Sequence, residues 1–107
     1  MAEDIVIKLT AELFKSLGHP GRVKILHMLS HGELCVCNMI EEIDIVQSNL
    51  SQHLGVLKKQ GLIDSRKDGQ RVIYWIEYPS VIKLVRVAEQ TLSEQIGHSQ
   101  SLLKFIK

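Results

Sequence analysis

The chain has 107 residues, with 13 basic and 12 acidic side chains and a net charge of +1 when its five histidines are neutral. Hydrophobic residues make up 45% of the sequence, which predicts one folded domain spanning residues 1–107 rather than a disordered chain. No apolar run approaches the roughly 20 residues of a membrane-spanning helix. The acidic start, from Met1 to Asp4, is unlike a signal peptide. We therefore expect a cytoplasmic protein with no membrane partner.

Basic residues are concentrated in the middle of the chain. Residues 1–44 carry a net charge of −3, residues 45–86 carry +4, and residues 87–107 carry 0. A local excess of positive charge predicts an anionic partner such as a nucleic-acid backbone, with an ordinary solvated surface as the alternative.

Hydrophobic spacing predicts four helices in the first 60 residues, at about 5–17, 20–30, 36–42 and 47–60. Pro20 suits the first turn of the second helix, where a missing N–H costs nothing. In the fourth helix, Leu50, Leu54 and Leu57 form one apolar stripe, and polar residues lie off it. Gly61 predicts the C-terminal end of that helix.

A β-hairpin is predicted next, because Asp68-Gly69 is a strong two-residue turn signal beside β-branched and aromatic residues. With these two residues as the turn, Lys67 is expected opposite Gln70 and Arg66 opposite Arg71. Like charges placed opposite each other destabilise a sheet, so the arginine pair predicts an anion above it.

A long last helix is predicted from about Ser80. Its apolar residues form a continuous seam, which Leu103 and Ile106 would extend past Gly97: Val81, Leu84, Val85, Ala88, Leu92 and Ile96. A small domain can bury only part of such a seam, so a second copy of the chain is expected to cover the rest. The order of elements predicts a mainly α protein with a small β-hairpin: a winged helix-turn-helix that forms a homodimer through its N- and C-terminal helices.

Two groups of side chains form the predicted surface for double-stranded operator DNA. Amides and hydroxyls on the fourth helix can reach base edges in a major groove; they are Gln47, Ser48, Asn49, Ser51 and Gln52. Basic residues on and near the hairpin would contact phosphates, which position a protein without reading sequence; they are Lys58, Lys59, Arg66, Lys67 and Arg71. His53, on the same helix, completes the DNA-binding set. The alternative is an ordinary polar helix beside an ordinary hairpin.

Cys35 and Cys37 lie where the short third helix is predicted to begin. Two cysteines cannot form a disulfide framework, and a buried structural role fits one cysteine better than two at this spacing. A helix N-terminus stabilises thiolates, which prefer soft ions such as arsenite, Hg(II), Cd(II) or Cu(I). The pair therefore predicts a soft-metal site or a thiol switch, and the fold itself needs no cofactor.

Several segments resemble the ArsR/SmtB-type metalloregulatory repressors, over roughly residues 9–90. The segment Leu13 to Leu26 is similar to the opening helices of that family, and Glu33-Leu34-Cys35-Val36-Cys37-Asn38 is similar to its ELCVC metal box. The segment Gln47 to Leu54 is similar to its recognition helix, and Asp68 to Arg71 is similar to its wing. The resemblance implies a homodimeric winged-helix repressor, most similar to the arsenite-responsive type, that leaves its operator when an inducer binds. It also implies a structural role for His53.

The chain departs from the family pattern in its ligand set. Ile40 stands where some members have a third cysteine, and the N-terminal segment has none. A third ligand would therefore be water, His31, Glu33 or a group from the second copy. At the family's second metal site, on its last helix, only Glu94 among the four aligned positions could bind metal; the others are Tyr78, Ser80 and Thr91.

Three functions are compatible with these residues. The first is a repressor that releases DNA when a soft metal or metalloid binds the cysteine pair. The second is a repressor that responds to thiol oxidation or persulfidation, by an intermolecular or mixed species, because a disulfide between residues i and i+2 would be strained within a helix. The third is a plain dimeric interaction module. An enzyme is not expected, because no paired carboxylates, phosphate loop or nucleophile triad stands out.

Overall fold

The computed structural model describes residues 1–42 and 47–97, so the predicted extension of the last helix at Leu103 and Ile106 lies outside the described part. Within these two ranges, five helices and three strands follow in chain order. They are α1 (Ala2–Leu17), α2 (Pro20–Leu29), β1 (Leu34–Cys35), α3 (Val36–Glu42), α4 (Gln47–Lys59), β2 (Ile63–Asp68), β3 (Arg71–Ile76) and α5 (Ser80–Gly97). The five predicted helices and the hairpin are thus confirmed, whereas β1 was not predicted.

The predicted apolar stripe of α4 forms the centre of the core. Leu50, Leu54 and Leu57 are each no more than 2% exposed. They belong to one cluster with residues of α2, α3, the start of β2 and α5: Ile25, Leu26, Met28, Leu29, Met39, Leu62, Ile63 and Val81. Burial of this stripe leaves the opposite side of α4 free to face solvent.

Local sequence explains where α2 and α4 begin and end. Pro20 stands in the first turn of α2, and His19 caps the helix because its Nδ1 accepts a hydrogen bond from the Gly21 N–H at 2.9 Å. Gly61 follows α4 with a φ of +82°, a left-handed conformation that glycine adopts without steric cost.

The sheet has three antiparallel strands in the order β1-β3-β2, and its register corrects the predicted turn. Asp68 pairs with Arg71, so the two-residue connection is Gly69-Gln70 rather than Asp68-Gly69. Arg66 lies opposite Ile73, and the predicted arginine pair does not form. The observed register places opposite charges across from each other and gives Gly69 the first turn position, where its φ is +67°.

The terminal helices expose apolar side chains in the single chain. On α5, Val81 is buried and Val85 packs against the core, but Val87 and Leu92 are more than half exposed. On α1 the exposed apolar residues are Ile5, Val6, Ile7, Leu9 and Phe14. Within the described ranges, no helix combines the length and apolar character needed to span a membrane.

Candidate nucleic-acid interface and cysteine pair

The outer side of α4 carries the polar residues predicted to contact bases. Asn49, Ser51 and Gln52 are exposed, on the side of the helix opposite the buried leucines. Gln47 and Ser48 begin the helix, and their side chains lie outside the described part of the structure. Short amides and hydroxyls on an exposed helix face can donate to and accept from base edges.

His53 lies on the inner side of α4 and is only 7% exposed. Its ring centroid is 4.1 Å from that of His19, and its Nδ1 is 3.2 Å from Arg22 Nη1. Burial, followed by the neighbouring charges of His19 and Arg22, lowers the pKa of His53. This placement matches the structural role implied by the family resemblance and separates His53 from the other residues of the predicted DNA-binding set.

Arg22 joins three helices, a role that the sequence did not predict. Its Nε donates to the carbonyl oxygen of Ser16 and its Nη2 donates to that of Lys15, both near the end of α1. Its Nη1 faces His53 on α4. The amphipathic pattern of α2 shows that Arg22 lies off the apolar stripe, but it carries no signal for these partners.

The basic residues are exposed, and two of them are engaged within the chain. Lys58 Nζ donates to Ser65 Oγ at 2.8 Å, which connects α4 to β2. Arg66 binds Glu33, and the remaining basic residues of the predicted phosphate-contacting set are exposed: Lys59, Lys67 and Arg71. The hairpin therefore exposes cations, and the contact between Lys58 and Ser65 joins it to α4.

The contact between Arg66 and Glu33 is bidentate. Arg66 Nη1 and Nη2 donate to the two carboxylate oxygens of Glu33 at 3.0 and 2.9 Å. The guanidinium also lies over the Trp75 ring, 5.4 Å from its centroid. The hydrogen bond from Arg66 lowers the pKa of Glu33, and the same bond raises that of Arg66. The metal-box resemblance singled out Glu33, but only as a possible ligand.

Cys35 and Cys37 are joined by a disulfide, which corrects the expectation of an intermolecular or mixed species. That expectation assumed that both residues lie within a helix. Cys35 instead ends β1 and Cys37 is the second residue of α3, so their Cα atoms are 5.3 Å apart, within the usual range for a disulfide. Cys35 is 1% exposed, whereas Cys37 is exposed.

The start of α3 also contacts the buried sulfur. The backbone N–H of Asn38 donates to Cys35 Sγ at 3.3 Å, so Cys35 acts as a cap for this helix. Between residues 1 and 42 and between 47 and 97, no cluster of three or more His, Cys, Asp or Glu side chains could hold a metal ion. Two sulfurs, once reduced, fit a soft ion of low coordination number, and Glu33 is paired with Arg66 rather than with the cysteines.

Residues 19–65 match the protein family described as "Bacterial regulatory protein, arsR family". Among curated proteins, the HTH-type transcriptional regulator Rv0081 of Mycobacterium tuberculosis is 34% identical over 108 residues, covering 100% of this chain and 95% of that protein. The cadmium resistance transcriptional regulatory protein CadC of Listeria innocua is 43% identical over 75 residues, covering 69% of this chain and 63% of that protein. Other matching proteins are described as repressors.

A solved structure shows the same fold. The homodimeric winged helix-turn-helix DNA-binding domain Mb0332 of Mycobacterium bovis superposes with a TM-score of 0.78 at 26% sequence identity, covering 90% of this chain and 89% of that one. The match confirms the predicted winged helix-turn-helix architecture.

Proposed function

Because this chain belongs to the arsR family of DNA-binding transcriptional repressors and is not an enzyme, we propose that its homodimer releases operator DNA when a soft metal or metalloid binds Cys35 and Cys37. Arsenite is the foremost candidate inducer. In this proposal residues 1–107 form one domain that acts in the cytoplasm, where its DNA is. Cadmium, mercury and copper(I) are the other candidate inducers, because they share the preference for sulfur.

The observation that carries the proposal is the position of the cysteine pair between the hairpin and α4, the two parts that we propose contact DNA. Cys35 pairs with Ile73 of the hairpin, and α3, which begins at the next residue, packs Met39 into the core cluster that contains Leu50 of α4. A ligand that changes the β1–α3 junction therefore acts on the wing and on α4 through direct packing. Coupling between two such sites is typically about 1–3 kcal/mol, or roughly 5- to 150-fold in affinity.

The proposed homodimer is supported by the uncovered apolar surface of the terminal helices. Ile5, Leu9 and Phe14 on α1 and Val87 and Leu92 on α5 are all more than half exposed, which is costly for a monomer in water. Dimerisation through these helices would present two copies of α4, which must enter successive major grooves about 34–36 Å apart.

The test is a titration of the reduced protein against an operator selected from random duplexes. We expect arsenite, added with a reductant, to weaken binding of the wild type by roughly 5- to 150-fold. Cys37→Ser and Cys35→Ser should bind the operator as the wild type does and should not release it. Normal release by a variant that carries both Cys35→Ser and Cys37→Ser would overturn the proposal.

A second candidate function is favoured by the disulfide between Cys35 and Cys37. In this case an oxidant of the peroxide class accepts two electrons and two protons from the thiols, the sulfurs bond to each other, and the peroxide is reduced to water. Persulfide donors would act on the same thiols. Release by peroxide in the presence of a chelator, without release by arsenite under reductant, would select this function over metal sensing.

A further inference from the structure

Cys35 of β1 and Arg66 of the wing are connected through one residue of the central strand, Ile73. Ile73 on β3 pairs with Cys35 of β1 on one side and with Arg66 of β2 on the other. Because directly paired residues project from the same face of a sheet, Cys35, Ile73 and Arg66 form one row across it. Their neighbours Leu34 and Tyr74 pack against the core, so this row lies on the opposite face.

At the end of that row, the guanidinium of Arg66 is bound by a carboxylate from the segment that carries the cysteines. Glu33 directly precedes β1 and binds both terminal nitrogens of Arg66, at 2.9 and 3.0 Å. The ring of Trp75, two residues beyond Ile73, lies beneath the guanidinium, with its centroid 5.4 Å from the guanidinium carbon. Glu33 and Arg66 are each about half exposed, so DNA can reach the pair.

We propose that Glu33 competes with DNA phosphate for Arg66, and that this competition couples the cysteine segment to the DNA affinity of the wing. A bidentate carboxylate uses the same parallel N–H donors that a phosphate would use. Arg66 therefore cannot bind both with the same two nitrogens. A change at Cys35 that alters β1 changes how firmly Glu33, two residues away, holds the guanidinium.

The coupling between the cysteine segment and DNA affinity rests on the proposed function. The competition between Glu33 and phosphate for Arg66 is tested without any inducer. The probe is a generic mixed-sequence DNA duplex, because a phosphate contact does not depend on base sequence. Exposed ion pairs contribute little in water, so we expect Glu33→Gln to tighten binding by the reduced protein by only about 2- to 5-fold.

Asp64→Asn is the matched control, because Asp64 is an exposed carboxylate on β2 whose hydrogen bond is to the adjacent Ser65 N–H. Like Glu33→Gln, Asp64→Asn removes one negative charge, but it does not free Arg66. Its effect on DNA affinity should therefore be smaller than that of Glu33→Gln. In an Arg66→Ala background, Glu33→Gln should have no larger effect than Asp64→Asn. Equal effects of the two substitutions in the wild-type background would overturn the competition.

The coupling is tested by repeating the titrations with arsenite under reductant. We expect arsenite to weaken DNA binding by Glu33→Gln less than it weakens binding by the wild type, and equal weakening would overturn the coupling. Failure of arsenite to act on the wild type would instead count against the proposed metal-sensing function, and the competition for Arg66 would still be decided by the titrations without arsenite.

Discussion

The guanidinium of Arg22 lies 3.2 Å from Nδ1 of His53, so a cation on α2 selects the tautomer of a neutral ring on α4. Because arginine can only donate, Nδ1 must accept, and the neutral ring carries its proton on Nε2. This contact holds the candidate recognition helix on the second helix.

Acid should destabilise the protein through His53. Its pKa is lowered in the folded state by burial and by the charges of His19 and Arg22, so below the unfolded pKa of about 6.5 the unfolded chain binds more protons than the folded one. The free energy of unfolding is therefore highest above that pH and falls as the pH drops through the folded pKa. Urea unfolding of the wild type and His53→Gln from pH 8 to 5 measures this. An identical pH dependence in both proteins would show that His53 is not responsible.

Gly21 should tolerate no side chain, because a Cβ there would lie 2.7 Å from Cδ2 of His53. We expect Gly21→Ala to lower the free energy of unfolding by about 1–3 kcal/mol, despite the higher helix propensity of alanine. The matched control is Gly55→Ala in α4, where a Cβ meets nothing within 4 Å. That substitution should stabilise the protein by roughly 0.5–1 kcal/mol. Stabilisation by both substitutions in urea unfolding would contradict the close approach of His53.

The two cysteines should differ in their contribution to stability under reducing conditions. Cys35 is buried and accepts a hydrogen bond from the Asn38 N–H, whereas Cys37 is exposed. Cys35→Ala removes the cap of α3 and should destabilise the protein by about 0.5–2 kcal/mol. Cys35→Ser keeps an acceptor and should cost less, and Cys37→Ala should change the free energy of unfolding by less than about 0.5 kcal/mol. Thermal or urea unfolding in reductant compares the three, and an equal loss at both positions would argue against the capping role.

Salt dependence should separate phosphate contacts from base contacts. Lys67→Ala and Arg71→Ala each remove an exposed cation of the hairpin, so each should flatten the slope of log affinity against log salt by roughly 0.9. Gln52→Ala should weaken binding to the selected operator with little change in slope. Lys83→Ala, on α5, is the control and should change neither quantity. Salt-independent binding by the wild type would instead support a plain interaction module.

Local patterns were enough to predict the helices. The leucine stripe of α4 reflects one buried side, which a helix repeats about every turn, so the pattern is visible without knowing the partner. The apolar residues of α1 also recur with helical spacing, but Ile5 and Leu9 are exposed in the single chain. The polar face of α4 followed from the same stripe. The hairpin was also predicted, but its turn was wrong by one residue, because Asp68-Gly69 and Gly69-Gln70 both contain the required glycine.

The sequence by itself determined the order of elements, the side of α4 that is buried, and the adjacency of the cysteines to a short helix. Only the tertiary structure decided that Leu34 and Cys35 form a strand, that His53 faces Arg22, and that Arg66 is held by Glu33. These contacts join residues 31 to 40 positions apart, as with Arg22 and His53 or Leu34 and Tyr74. Helical periodicity is a property of neighbouring residues, whereas such pairs form only when the closed core brings distant segments together.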